Sequence, residues 1–280
     1  MDMLPLSAPP STSRLLPPAP RHLREAEILV DHLTQTPWSL KRNRYRHYRR
    51  FDGEPDTVRW GFPGRPDTYY ALSQCGSFLT RVLERVYGAA VGGWATREFL
   101  LEHVFDPMDL DRPRVCPNAR EMRRAFTRDV PHLRPVQRPA DLQPGDLVAM
   151  DYRDPNSPYT GHVVMVRRHH GIVQESRTTG FGTPTIAHLL EIVDCTSSPH
   201  GSPGNDAVLF QAYPDSRVSF RVGAAGEPLD VDHHDGVGYG YMVVYADIDT
   251  GGFAGYRRSL DAPEAKSAGA QPIAAARPTP

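Results

Sequence analysis

The feature that most constrains the fold is a change of apolar period near the middle of the chain. Before Asp146 the apolar residues recur at helical spacing; after it they alternate or run together, as in strands. In "LREAEILVDHLTQT", Leu23, Ile28, Leu29 and Leu33 lie near one helical face. In "ALSQCGSFLTRVLERVYG", Phe78, Leu79, Val82, Leu83 and Val86 mark one face of a second helix that Gly88 can end. Ser73 is its expected N-cap, which puts Cys75 in the first turn. "ATREFLLEHVF" and "NAREMRRAFTRDV" add a helical insertion. Strands are then expected in "DLVAMDY" from Asp146, "HVVMVRR" from His162, "GIVQES", "EIVDCTS", "SRVSFRV" and "YGYMVVYADI". Helices followed by strands predict an α+β domain, with helices packed on one side of a mostly antiparallel sheet.

Both ends read differently. Residues 1–20 are rich in Pro, Ser and Ala, and so is "DAPEAKSAGAQPIAAARPTP" from Asp261. Such segments bury too little apolar surface to offset their ordering entropy, so both are expected to be disordered. That leaves 21–260 as a single domain. A net charge of −1 removes any global attraction to nucleic acid. The basic run "KRNRYRHYRR" from Lys41, with interleaved aromatics, reads as an exposed helical face. No apolar run approaches the roughly 18 residues of a membrane-spanning helix. The N-terminus lacks a basic segment followed by an unbroken apolar one. A cytoplasmic product is the default expectation, with a non-standard export route as the alternative. Three cysteines, Cys75, Cys116 and Cys195, allow at most one disulfide.

Cys75 is the first candidate for chemistry. A cysteine in the first turn of a helix meets unsatisfied N–H groups and the positive end of the dipole, which favour the thiolate. Gly76 leaves room for a substrate. The candidate base lies in "LQPGDLVAMDYRDPNSPYTGHVVMVRR", where "QPGD" turns into one strand and "GH" opens the next, with His162 at its entrance. Two residues compete to orient its imidazole: Gln174, within a hairpin's reach, and Asp194 in "LLEIVDCTSSPHG". If Asp194 faces the site, Cys195 on the opposite strand face is a packing residue. Tyr70 is either a hydrogen-bond donor into the site or a rim aromatic. "LDVDHHDG" from Leu229 reads as a solvated turn rather than a metal site, and His169 and His170 as a hairpin loop. "GVGYG" from Gly236 precedes a strand, so it is not a phosphate loop. No metal and no cofactor are expected.

At these residues a resemblance appears. "SQCGSFLTRVL" resembles the "DCSGFV" nucleophile motif of NlpC-type and CHAP-type (cysteine, histidine-dependent amidohydrolase/peptidase) proteins, and "LQPGDLV" followed by "GHVVMV" resembles their second motif. The resemblance covers roughly Asp67–Ser198 and the order of the motifs agrees. It implies a papain-like core, Cys75 as nucleophile, His162 as base and a polar third residue on a later strand, for which Asp194 is preferred to Gln174. It also implies cleavage of an amide bond in peptidoglycan stem peptides or a related small peptide, through an acyl-enzyme on Cys75. Three departures bear on the substrate more than on the chemistry: Gln74 where the family has Asp, Gly-Ser where it has Ser-Gly, and a long segment between Cys75 and His162. Two other classes fit the same scaffold, an acyltransferase or transamidase and a non-enzymatic binding module.

Overall fold

The computed structural model describes residues 19–35, 37–46, 56–109, 116–157, 159–174, 180–224 and 226–280. Five α-helices are present among them: α1 (Arg21–Thr34), α2 (Cys75–Tyr87), α3 (Arg97–His103), α4 (Ala119–Phe126) and α5 (Ala207–Ala212). The first strands are β1 (Asn43–Tyr45), β2 (Thr57–Arg59), β3 (Tyr70–Ser73) and β4 (Leu133–Val136). Then come β5 (Leu147–Asp151), β6 (Gly161–Val173), β7 (Thr185–Thr196), β8 (Val218–Val222) and β9 (Pro228–His233). The last four are β10 (Gly236–Asp247), β11 (Phe253–Arg257), β12 (Lys266–Ser267) and β13 (Ile273–Pro278). The main sheet has eight strands in the order β12-β11-β10-β7-β6-β5-β13-β4, and every pairing in it is antiparallel. A small sheet, β1-β3-β2, includes one parallel pair, and β8 and β9 form a separate ribbon. The fold is therefore α+β, with helices on a mostly antiparallel sheet. Among the described residues no helix is long and apolar enough to cross a membrane.

The strand alternation divides two cores. Leu147, Ala149, Val163, Met165 and Val193 face α1, α2 and α4, meeting Leu29, Phe78, Val82 and Met122. The residues between them, Val148, Met150, Val164 and Ile192, face the other way. They pack with Tyr256 of β11 and Ile273 of β13, which lie toward opposite sides of the sheet order, so the sheet curls over a second core. In α1 the buried residues include Leu23, Leu29 and Leu33, while Ile28 faces solvent.

Several expectations need correction. The segment 261–280 is not disordered: β13 inserts between β5 and β4, and Ala274, Ala275 and Ala276 are buried. The domain therefore runs past residue 260. Of the expected N-terminal arm, residues 1–18 lie outside the described residues. The start of "KRNRYRHYRR" is not helical; Asn43–Tyr45 is a strand, and both amide atoms of Asn43 bond the backbone of Val237. Residues 47–50 lie outside the described residues. His169 and His170 sit inside β6, whose register shifts absorb extra residues instead of a hairpin turn. Most of "LDVDHHDG" is strand β9 rather than a turn.

Candidate active site

Helix α2 begins at Cys75, and its N-cap is Gln74 rather than Ser73. The Gln74 side-chain amide donates to the Arg46 carbonyl at 2.9 Å, which ties the helix start to the end of β1. Its backbone N–H donates to Ser77 Oγ at 2.9 Å, and Ser77 donates in turn to Asp56. A Cβ on Gly76 would lie 2.5 Å from the Pro117 carbonyl oxygen. The Gly-Ser order is therefore steric and local. Glycine lets the loop at Pro117 close over the first turn, and serine returns to cap it.

Strand β6 enters beside β5, with His162 opposite Met150. A Cβ on Gly161 would fall 1.8 Å from the Met150 carbonyl, so the strand starts this close only with glycine. His162 is buried, its Nε2 lies 2.6 Å from Asp194 Oδ2, and Cys75 is near enough to raise its proton affinity. With Nε2 held by Asp194, Nδ1 is the nitrogen left for Cys75. Burial alone would lower the proton affinity of His162; the hydrogen bond to Asp194 and the nearby Cys75 outweigh it, and the net direction is up.

Asp194 on β7 is fully buried and has three partners. Besides His162, His200 Nε2 lies 3.0 Å from Oδ2, and Arg217 Nη1 donates to Oδ1 at 2.8 Å. Burial would raise this carboxyl, but the charges of Arg217 and His200 and the imidazole hydrogen bonds hold it well below the usual carboxylate range. It is thus ionised and only accepts. His200 Nδ1 faces another pure acceptor, the Arg258 carbonyl, at 2.6 Å. Both nitrogens of His200 therefore face acceptors. Arg217 also binds Asp215 through two nitrogens, Nε to Oδ1 at 2.8 Å and Nη2 to Oδ2 at 2.7 Å. Asp194 and Asp215 thus share one buried guanidinium.

The glycines of "GVGYG" make room for this network. Gly238 lies opposite Asp194 on β10, and a Cβ there would come within 2.9 Å of Arg217 Cγ. A Cβ on Gly240 would come 2.7 Å from Asp215 Oδ2. His200, Arg217 and Asp215 were not singled out from the sequence. The available signal was glycine at alternate positions of one strand face, which marks something bulky lying against it.

The structure thus joins His162 to Asp194, sets Cys75 near enough to influence His162, and leaves two other candidates apart. Gln174 is exposed beyond Val173, whose partner on β7 is Ala187, far along the strand from Asp194. β6 runs on without the hairpin that would return Gln174 to the site. The Tyr70 ring lies under the Arg59 guanidinium, 4.5 Å from its centroid, on the strand face opposite buried Ala71 and Ser73. The phenols that sense the charge of Cys75 are instead Tyr45 and Tyr152, both raised chiefly by burial, Tyr152 to about 12. All three cysteines are free thiols. Cys195 packs in the helical core and donates to the Ser73 carbonyl at 3.2 Å. Burial pushes Cys195 well up and Cys116 to about 12.

One ligand atom from each of His162, Asp194 and His200 lies within 4.8 Å of the other two, a spacing that also suits a metal ion. A dication there would have to replace both N–H donors on Oδ2 and sit beside the Arg217 cation. In comparisons with known proteins, no family model, no curated protein and no solved structure matches the chain.

The buried pairing gives a direct test. Arg217→Met leaves Asp194 and Asp215 without their shared cation, and breaking such a pair costs about 3–5 kcal/mol. The depressed value of Asp194 stabilises the fold above the unfolded-state carboxyl value of roughly 3.9, and this is lost as pH falls through the folded value. Without Arg217 that carboxyl titrates higher, so the variant also starts to lose stability at a higher pH. Urea unfolding at pH 7 and pH 5 should show both effects.

Proposed function

We propose that the protein is a cysteine-dependent amide hydrolase with a papain-like core, acting on peptidoglycan stem peptides or related small peptides. The observation that carries this reading is a buried His162–Asp194 pair with the thiol of Cys75 nearby. A sulfur at a helix start lies near enough to a buried imidazole to raise its proton affinity, and that ring is fixed on an ionised carboxylate. The thiolate attacks the amide carbonyl, and the carbonyl oxygen takes up the displaced electron pair. As the first helical residue, Cys75 offers its own backbone N–H to that oxygen. The tetrahedral adduct collapses, the C–N bond breaks, and the His162 imidazolium gives its proton to the leaving amine. His162 then takes a proton from water, whose oxygen attacks the thioester, and the carboxylic acid leaves with the thiolate restored. Asp194 holds the ring in the required orientation, and Arg217 and His200 keep Asp194 ionised.

Iodoacetamide labelling tests the pair without a substrate. At pH 7 Cys75 should label faster than Cys116 and Cys195, and His162→Ala should slow it by about tenfold or more. The raised proton affinity of His162 keeps the imidazolium present below about 6.5 and loses it as pH rises through the folded value. The advantage over His162→Ala should therefore shrink in alkali. Equal rates in the two proteins at pH 7 would remove the observation on which the reading rests. Transfer of the acyl group to an added amine, detected in the products, would identify an acyltransferase on the same chemistry. The metal-like spacing of His162, Asp194 and His200 favours one other reading, a metallohydrolase, whose activity would survive loss of Cys75 and disappear with a chelator.

A further inference from the structure

A cavity of about 410 Å³ is lined by His162 and His200, the two imidazoles held on Asp194. This is within the span of roughly 300–1,000 Å³ typical of small-ligand sites. Met150 and Met242 give it a buried apolar floor, which His162 and His200 reach from the charged network. Its rim carries charge of a particular kind. Glu264 and Lys266 neutralise each other, Nζ to Oε2 at 2.6 Å. Asp154, also at the rim, turns Oδ1 to the N–H of Asn156 at 2.9 Å. Arg258 is exposed and has no acidic partner among the described residues. Its Nη2 donates to Thr196 Oγ1 at 3.2 Å and to the Ser198 carbonyl. That leaves the N–H groups of Nε and Nη1 for a ligand, on a head group already fixed in place. The carbonyl of the same residue accepts from His200 Nδ1, so the Arg258 backbone is tied to the network that holds His162.

A positioned guanidinium with spare planar donors, beside a cavity with an apolar floor, matches a carboxylate. We propose that this cavity takes the carboxylate-bearing end of a short acyl-amino acid or peptide, with the free carboxylate on Arg258 and the scissile amide directed toward His162. That this ligand is the substrate rests on the hydrolase reading; that the cavity selects a carboxylate does not.

The test is therefore a binding measurement on Cys75→Ala protein. N-acetylalanine and its primary amide, N-acetylalaninamide, are titrated and followed by NMR chemical shifts. The acid should bind about tenfold tighter than the amide or better. Arg258→Gln in the same background should abolish the preference, and Arg258→Lys should keep part of it. Equal affinities, a preference that persists in Arg258→Gln, or no saturable binding of either probe below about 10 mM would overturn the assignment. Thermal unfolding of both Arg258 variants shows whether the network is intact, and the Lys variant decides the matter if the Gln variant does not fold. A failure here leaves Cys75 chemistry standing, and turnover by Cys75→Ala would leave the binding result standing.

Discussion

Cys75→Ala should lower kcat/KM on a small acyl-peptide amide by about 10⁴-fold or more, the scale on which loss of a covalent nucleophile is felt. The effect is large because the other thiol and the phenols described near the site are poor replacements for the sulfur. Cys195 lies on the opposite strand face, with its thiol on the Ser73 carbonyl. Tyr45 and Tyr152 are held as neutral phenols by burial. Cys75 and His162 act as one unit, so the Cys75→Ala, His162→Ala double variant should be little worse than either single variant. Progress curves with the three variants check this. Full turnover by Cys75→Ala would put the chemistry elsewhere, and a chelator would then show whether a metal at His162, Asp194 and His200 carries it. The fold should survive the substitution, since it removes one sulfur from the edge of the core and leaves the Asp194–His200–Arg217–Asp215 network untouched.

The parts of this site that the sequence made legible share one property: local sterics force them. Gly161 precedes His162 because a side chain would strike the Met150 carbonyl, and β5 follows "QPGD" as a run of alternately facing buried residues. The apolar face of α2 fixed where Cys75 sits. What stayed illegible depends on distant contacts. Arg217 lies in a loop-like "YPDSR" and His200 in "SSPHG", and neither has a periodic pattern; only the folded sheet brings both to Asp194. The run from Lys41 looked like a charged surface, but Asn43 bonds both backbone groups of Val237, a contact across 194 residues. The misplaced Gln174 has a similar cause. A hairpin at His169–Gly171 would have returned it to the site, whereas bulges let β6 run straight on.

Ending the chain after Leu260 should abolish folding. The removed residues look dispensable in sequence because they are rich in Ala and Pro, which are poor strand formers. Their small size is the reason they work. Ala274 and Ala276 lie in the core that contains Ala119, Met122 and Ala125 of α4, where large side chains would hold the helix off the sheet. β13 pairs Ile273–Ala276 with β5 and Ala275–Pro278 with β4, so its loss opens the sheet between two strands. It also removes Arg277, which donates to both carboxylate oxygens of Asp146 at 2.7 Å. Asp146 is the acid of the "QPGD" turn and is fully buried. Stranding it costs about 3–5 kcal/mol by itself, a large part of the 5–15 kcal/mol by which a domain is usually stable. Far-UV circular dichroism and urea titration of the chain ending at residue 260 check this. Arg277→Met in the full chain separates the two contributions: it should lose the ion-pair share and keep a cooperative transition, because β13 still fills the gap between β5 and β4.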